Sequence, residues 1–316
     1  MRLYPGAHRI QSNYGGRNLF QYLLVGERIL LVDSGVAATP EGAILPYLEQ
    51  ISVDPQKLEM VITTHPDTDH QGGNASLRRA IPGLTVACGM ADKHLVEDPQ
   101  VLFDQRYNFL RQHHGIGFSP TPTIHAGATC KVDRVFRGGE RIRIGSDWEL
   151  EVLHLPGHSA GHLALYDRVH KCAFVSDAVH GSGCPKADGS MAIPVTYYHL
   201  DTYLTTIRQL ETLELETLYT GHWPVMQQEE VKDFLADSRR TVDRLDRVIL
   251  SALKRTGTTG LTLAQLIDEA LTEFPEWPVD TSSLAMFSLK GHLDRLEENG
   301  KVVINPAAAI YRWTIA

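Results

Sequence analysis

"TTHPDTDHQGG", running from Thr63 to Gly73, crowds His65, Asp67, Asp69 and His70 into six consecutive positions. Imidazoles and carboxylates are the side chains that hold a divalent ion, and one turn here offers four of them. The run before it, "EMVITTH", is rich in β-forming residues. "NASLRRAI" after it reads as a short helix with Asn74 as its N-cap. The cluster is thus placed on a loop between a strand end and a helix start, where ligands converge in α/β proteins. A solvated turn has the same local texture, so the decision rests on whether other strand ends supply more ligands.

They do. "LPGHSAGH" sets His158 just after a strand, with Gly157 turning the backbone. "FVSDAV" ends an apolar strand on Asp177, and "LYTGHWPV" puts His222 after another strand, again behind a glycine. Four such loops in this order resemble the metallo-β-lactamase superfamily, over about Ala7 to Pro224. The resemblance implies an αββα sandwich with metals at one edge of its two sheets. Motif matching implies one ion held by His65, position 67 and His158, a second held by Asp69, His70 and His222, and Asp177 bridging them. Asp69 is also implied to orient the nucleophile.

The departure is Asp67, where the family usually has histidine. A carboxylate is the harder ligand. The implied cofactors are therefore two divalent ions, zinc first, with iron or manganese admitted by Asp67. Two roles are open to this residue: direct ligand, or a group standing behind a single ion. His162, four residues after His158, is expected to support that ligand. In lactone-hydrolysing members a tyrosine from a stretch comparable to "PVTYYHLDTYLTTI" contacts substrate. That makes Tyr197, Tyr198 and His199 candidate substrate contacts, against the alternative of a tyrosine merely bonded within the fold. Tyr14 and Arg17 are candidates for the site mouth.

Composition narrows the function classes. The chain has 316 residues, 43% hydrophobic and 22% charged, which suits a globular protein with a core large enough to fold without a structural metal. Its net charge of −8 argues against a dedicated nucleic-acid binder. No apolar run approaches the length of a membrane span, and the N-terminus has no leader pattern. Four widely spaced cysteines without a CxxC pair fit reduced thiols and a cytoplasmic setting. There is no GxSxG and no Cys/His arrangement to support covalent catalysis.

The expected organisation is a catalytic domain over 1–242 and a winged-helix-like domain over 243–316. A helical insertion at about 91–127 carries Phe103, Tyr107, Leu110 and His114 at helical spacing, serving as a lid or as a covering layer. The two-domain plan is similar to the β-lactamase-like protein 2 branch, which cleaves RNA. The expected activity is hydrolysis of a small ester, lactone or thioester. The alternatives are a metal-dependent phosphodiesterase or ribonuclease, and a metal- or ligand-sensing winged-helix regulator. From Leu250 to Ala316 six basic side chains face eight acidic ones, which counts against DNA binding. A small-molecule substrate and a homodimer are expected, with the tail closing over the partner's site mouth.

Overall fold

The computed structural model describes residues 1–119 and 121–316. Seven strands form the first sheet in sequence order: β1 Arg2–Tyr4, β2 Ala7–Tyr14, β3 Arg17–Val25, β4 Ile29–Val32, β5 Leu58–Thr63, β6 Thr85–Gly89 and β7 Arg134–Phe136. The second sheet takes β8 Arg141–Gly145, β9 Trp148–His154, β10 Leu163–Asp167, β11 Cys172–Ser176, β14 Thr217–Thr220 and β15 Met226–Gln227. Two short pairs complete the strands: β12 Cys184–Pro185 with β13 Met191–Ile193, and β16 Val302–Asn305 with β17 Arg312–Ile315.

The two-residue period of the strands decides how these sheets stack. Leu30, Val32, Met60 and Ile62 point inward and share a cluster with Ile142, Val152, Leu165 and Phe174 of the second sheet. Their neighbours Leu31 and Val61 point outward, against Ile44, Leu48 and Leu77 of the covering helices. The outer face of the second sheet packs on the helix Leu200–Thr212 and on the C-terminal helices. This is the expected αββα sandwich, with a C-terminal helical region added to it.

Strand direction then sets the site. β4 runs parallel to β5, pairing Val32 with Ile62, and β11 runs parallel to β14, pairing Ser176 with Thr220. The loops that begin at Asp33, Thr64, Asp177 and Gly221 therefore leave from one edge. Two sequence readings nearby need correction. Asn74 opens its helix but does not cap it; its side-chain amide donates to Thr63 Oγ1 at 3.0 Å. The insertion is not one amphipathic helix either. It breaks into Lys93–Glu97, Pro99–Leu102, a π-helical turn at Phe103–Tyr107, and Arg111–His114. Phe103, Leu110 and His114 are buried as their spacing predicts.

The tail has three helices, Glu229–Thr256, Leu263–Glu273 and Met286–Glu298, followed by the β16–β17 hairpin. Its apolar side chains (Leu245, Ile249, Phe287, Trp313) join one cluster with Leu155, Val175 and Tyr203 of the sandwich. Leu284 and Phe287 reach the pocket of their own chain, whereas the sequence reading has the tail closing over a partner's. Among the described residues no helix is long and apolar enough to cross a membrane, and all four cysteines are free and buried.

The seam between insertion and tail is expected to be acid-sensitive. His114 stacks on Trp313 with ring centroids 5.1 Å apart. Burial, then Lys290 and His113, push its pKa from 6.5 down to about 4. A histidine whose folded pKa lies below its unfolded one costs nothing above pH 6.5 and destabilises the fold as pH falls toward 4. At pH 5 the loss from this residue is at most about 2 kcal/mol, reduced by solvent screening of the ring. Comparing urea midpoints at pH 7.5 and 5, His114→Phe should show a smaller acid shift than the parent chain. Equal shifts would refute the assignment.

Candidate metal centre

All seven predicted ligands meet at the common edge. The groupings His65–Asp67–His158, Asp69–His70–His222, His65–His70–Asp177 and His158–Asp177–His180 each bring ligand atoms within 4.8 Å of one another. The local backbone is bent to do so. Gly157 sits at φ +149°, and a Cβ there would lie 2.6 Å from the Tyr203 backbone, so His158 can turn in only behind a glycine. Asp33 and Ser176 hold left-handed conformations, at φ 61° and 49°, on the strand ends that flank the site.

Asp33 is the organiser that sequence reasoning missed. Its carboxylate accepts from Thr64 N at 2.7 Å, Thr64 Oγ1 at 2.9 Å, His70 Nδ1 at 2.9 Å and Ser176 Oγ at 2.9 Å. "LLVDSG" carries the same strand-end aspartate signal that identifies Asp177. With Nδ1 donating to Asp33, neutral His70 presents its Nε2 lone pair to the site. His222 does likewise, since its Nδ1 donates to Asn18 O at 2.8 Å.

Those two Nε2 atoms stand 3.3 Å apart. Two facing lone pairs at that distance need a proton or a cation between them. The carboxylates strengthen the demand. Asp177 Oδ2 lies 3.1 Å from His222 Nε2, and Asp69 Oδ2 lies 3.6 Å from it. Burial opposes a charge on His70, but Asp177, Asp33 and Asp69 outweigh it and push its pKa up to about 10. Burial also opposes ionising Asp177, yet His222 and His70 hold it well below the usual carboxylate range. Asp177 Oδ1 and His65 Nε2 are buried without a hydrogen-bond partner. Orphaned donors and acceptors of this kind are costly unless something binds them. This donor set fits a divalent cation.

The other predicted residues are placed as follows. His162 does not bond His158; its Nε2 donates to Val175 O at 3.0 Å, and its ring stacks on His65 at 4.9 Å. Tyr14 and Arg17 line the pocket, as expected of the mouth, and Arg17 Nη2 lies 2.9 Å from Asp69 Oδ2. Tyr197, Tyr198 and His199 do not line it. The Tyr197 hydroxyl meets His292 Nε2 at 2.9 Å, and His292 Nδ1 meets Asp246 at 2.7 Å, which ties the sandwich to the tail. The Tyr198 hydroxyl donates to Asp294 at 3.1 Å, and His199 is exposed. The tyrosine that does reach the ligands is Tyr107, which donates to Asp67 Oδ1 at 3.0 Å. Arg106, beside it, pairs with Asp67 as well. The helical spacing of the insertion marks Tyr107 only as a member of its apolar face and leaves Arg106 out. His180, three residues after Asp177, is a further buried imidazole at the site.

Comparison with known proteins agrees with this geometry. The profile of the Metallo-beta-lactamase superfamily matches residues 15–222. The acyl-coenzyme A thioesterase MBLAC2 of Gallus gallus is 27% identical over 222 residues, covering 68% of this chain and 67% of that protein. A beta-lactamase-like protein 2 homolog of Caenorhabditis elegans is 23% identical over 92% of this chain and 82% of its own length. A hydroxyacylglutathione hydrolase of an Enterobacter species is 27% identical over half of this chain, which spans only 45% of that relative. Among solved structures, a metallo-beta-lactamase family protein of Thermus thermophilus superposes with a TM-score of 0.74 at 20% identity, over 99% of both chains.

Proposed function

Because the chain belongs to the metallo-beta-lactamase superfamily, we propose that it is a metal-dependent hydrolase of a small carboxylic thioester or ester, lactones included. One observation carries this reading. The carboxylate–imidazole edge opens onto a pocket of about 290 Å³ whose other walls are Phe103, Tyr107, Phe118, Ile193, Leu284 and Phe287. Such a pocket suits an apolar acyl group with its carbonyl at the polar end. The relative named as a thioesterase supports putting thioesters first.

His70, His222, Asp69 and Asp177 would hold the ion; the two imidazoles suit zinc, and the two carboxylates admit iron or manganese as well. When bound, the ion supplies a Lewis acid that brings the pKa of water toward neutrality and draws charge from a carbonyl. The chain does the rest. Burial opposes ionising Asp69, but Arg17, His70 and His222 together outweigh it and hold it below the usual carboxylate range. Asp69 can then accept a hydrogen bond from an entering water and orient it. The aromatic walls exclude bulk solvent and position the acyl chain, which strengthens each polar contact inside.

The test is a panel of acyl thioesters, aryl esters, lactones and single-stranded RNA, run with zinc-loaded protein before and after chelation. Thioester or ester turnover that disappears on chelation is the expected result. Efficient RNA cleavage with every ester inert would replace this reading with the phosphodiester one. Within the panel, Leu284→Ala should raise KM for a medium-chain acyl substrate about tenfold while leaving metal content alone. An unchanged KM would remove the tail from the substrate site.

A further inference from the structure

Unlike Asp69 and Asp177, Asp67 has nothing left to offer a metal ion. Arg106 clamps both its oxygens, with Nε 2.5 Å from Oδ1 and Nη2 3.1 Å from Oδ2. Tyr107 donates to Oδ1 at 3.0 Å, and His158 Nε2 lies 2.9 Å from Oδ2. A carboxylate has about four acceptor positions, and here all are taken. Asp177 Oδ1, by contrast, lacks a hydrogen-bond partner, and Asp69 Oδ2 has only the Arg17 Nη2 contact at 2.9 Å. Arg106 is itself buried and further anchored, its Nη1 donating to His158 O at 3.1 Å and its Nη2 lying 3.2 Å from His158 Nε2. A positive charge thus already stands against two of the three side chains that would bind a first ion.

The charge balance points the same way. The carboxylates among these histidines are Asp33, Asp67, Asp69 and Asp177, and the guanidiniums are Arg17 and Arg106. Four negative charges against two positive ones leave two negative charges, which a single divalent ion cancels. A second ion would leave a buried excess of positive charge beside Arg106. His65 is not stranded by this arrangement. Its Nε2 lies 3.7 Å from Asp67 Oδ2 without a hydrogen-bond partner, and His65 also groups with His70 and Asp177, ligand atoms within 4.8 Å of one another.

We propose that the Arg106 guanidinium stands in for the first metal, so that the chain binds one divalent ion, held by Asp69, His70, Asp177 and His222. Asp67 is then the anchor of Arg106 and not a ligand. The π-helical turn at Phe103–Tyr107 is what delivers the cation, since it presents Arg106 and Tyr107 to the same carboxylate. The inference rests on the metal-dependent reading above, and counting ions separates the two.

The full-length chain, stripped of metal and then saturated with zinc, is measured by elemental analysis and calorimetric titration. One ion per chain is expected for the parent protein and for Asp67→Asn. Two are expected when the doubly substituted Arg106→Met, Asp67→His protein removes the guanidinium and supplies a third imidazole. Two tight sites in the parent, falling to one in Asp67→Asn, would overturn the inference and leave the hydrolase reading intact. No ion in the parent would overturn both. The double variant need not fold for the test to decide, because the parent and Asp67→Asn counts suffice.

Discussion

Asp177→Ala is expected to weaken binding of a divalent ion by more than about 100-fold and to reduce hydrolysis at least as far. Loss of a residue that merely orients a ligand already costs about 10- to 100-fold in affinity, and Asp177 faces the ion corner directly. Its two oxygens lie 3.1 Å from His222 Nε2 and 3.7 Å from His70 Nε2, and it has no hydrogen-bond partner on Oδ1. The metal-free fold should survive the change. Asp177 sits 7% exposed among other carboxylates, and removing one buried charge from that cluster relieves repulsion as well as attraction. The check is zinc titration and thermal denaturation of parent and variant, each with and without metal. Unchanged zinc affinity in a folded Asp177→Ala protein would dismantle the proposed centre.

The second large effect comes from a residue with no side chain to bind anything. A Cβ on Gly221 would fall 2.4 Å from Asp177 Oδ1 and 2.8 Å from His70 Cε1. Its φ is not in the left-handed region, so the demand is for space and not for conformation. Gly221→Ala should therefore push two ligands apart while leaving every ligand in place. We expect loss of most activity, with zinc affinity lowered at least about tenfold. The accompanying stability loss should be about 1–3 kcal/mol, the usual cost of overpacking a full interior. Gly145, where a Cβ meets nothing within 4 Å, is the control. If Gly221→Ala keeps parental zinc affinity and turnover, the close approach of the β11 and β14 loops does not shape the site.

The sandwich and the carboxylate–imidazole cluster at its edge were legible in the chain because they depend on local signals. Apolar runs in "RILLVDSG" and "CAFVSD" specify strands buried on both faces, and a turn of His and Asp residues after a strand marks its C-terminal end. His65, Asp69, His70, His158, Asp177 and His222 were found in this way, each beside its own strand. Asp33 carried the same signal, yet nothing local tells an aspartate that organises ligands from one that binds an ion. Only the parallel pairing of β4 with β5 puts it behind His70.

Contacts between distant segments decided the rest. Tyr197 and Tyr198 are adjacent to site loops in sequence, but His292 and Asp294 of the tail claim their hydroxyls. A phenol buried against another segment satisfies its hydrogen bond there, so proximity along the chain says little about the substrate. Arg106 shows the converse. It lies 39 residues after Asp67, in an insertion whose period reads simply as an amphipathic helix. A helical repeat records which side chains are apolar; it does not record that the helix widens for five residues and aims a guanidinium inward. The identity of the residues gathered at that edge is thus written in short motifs. The charge that surrounds them is set by which segments the fold packs over that edge, because Coulomb interactions in a buried site depend on distance in space and not along the chain.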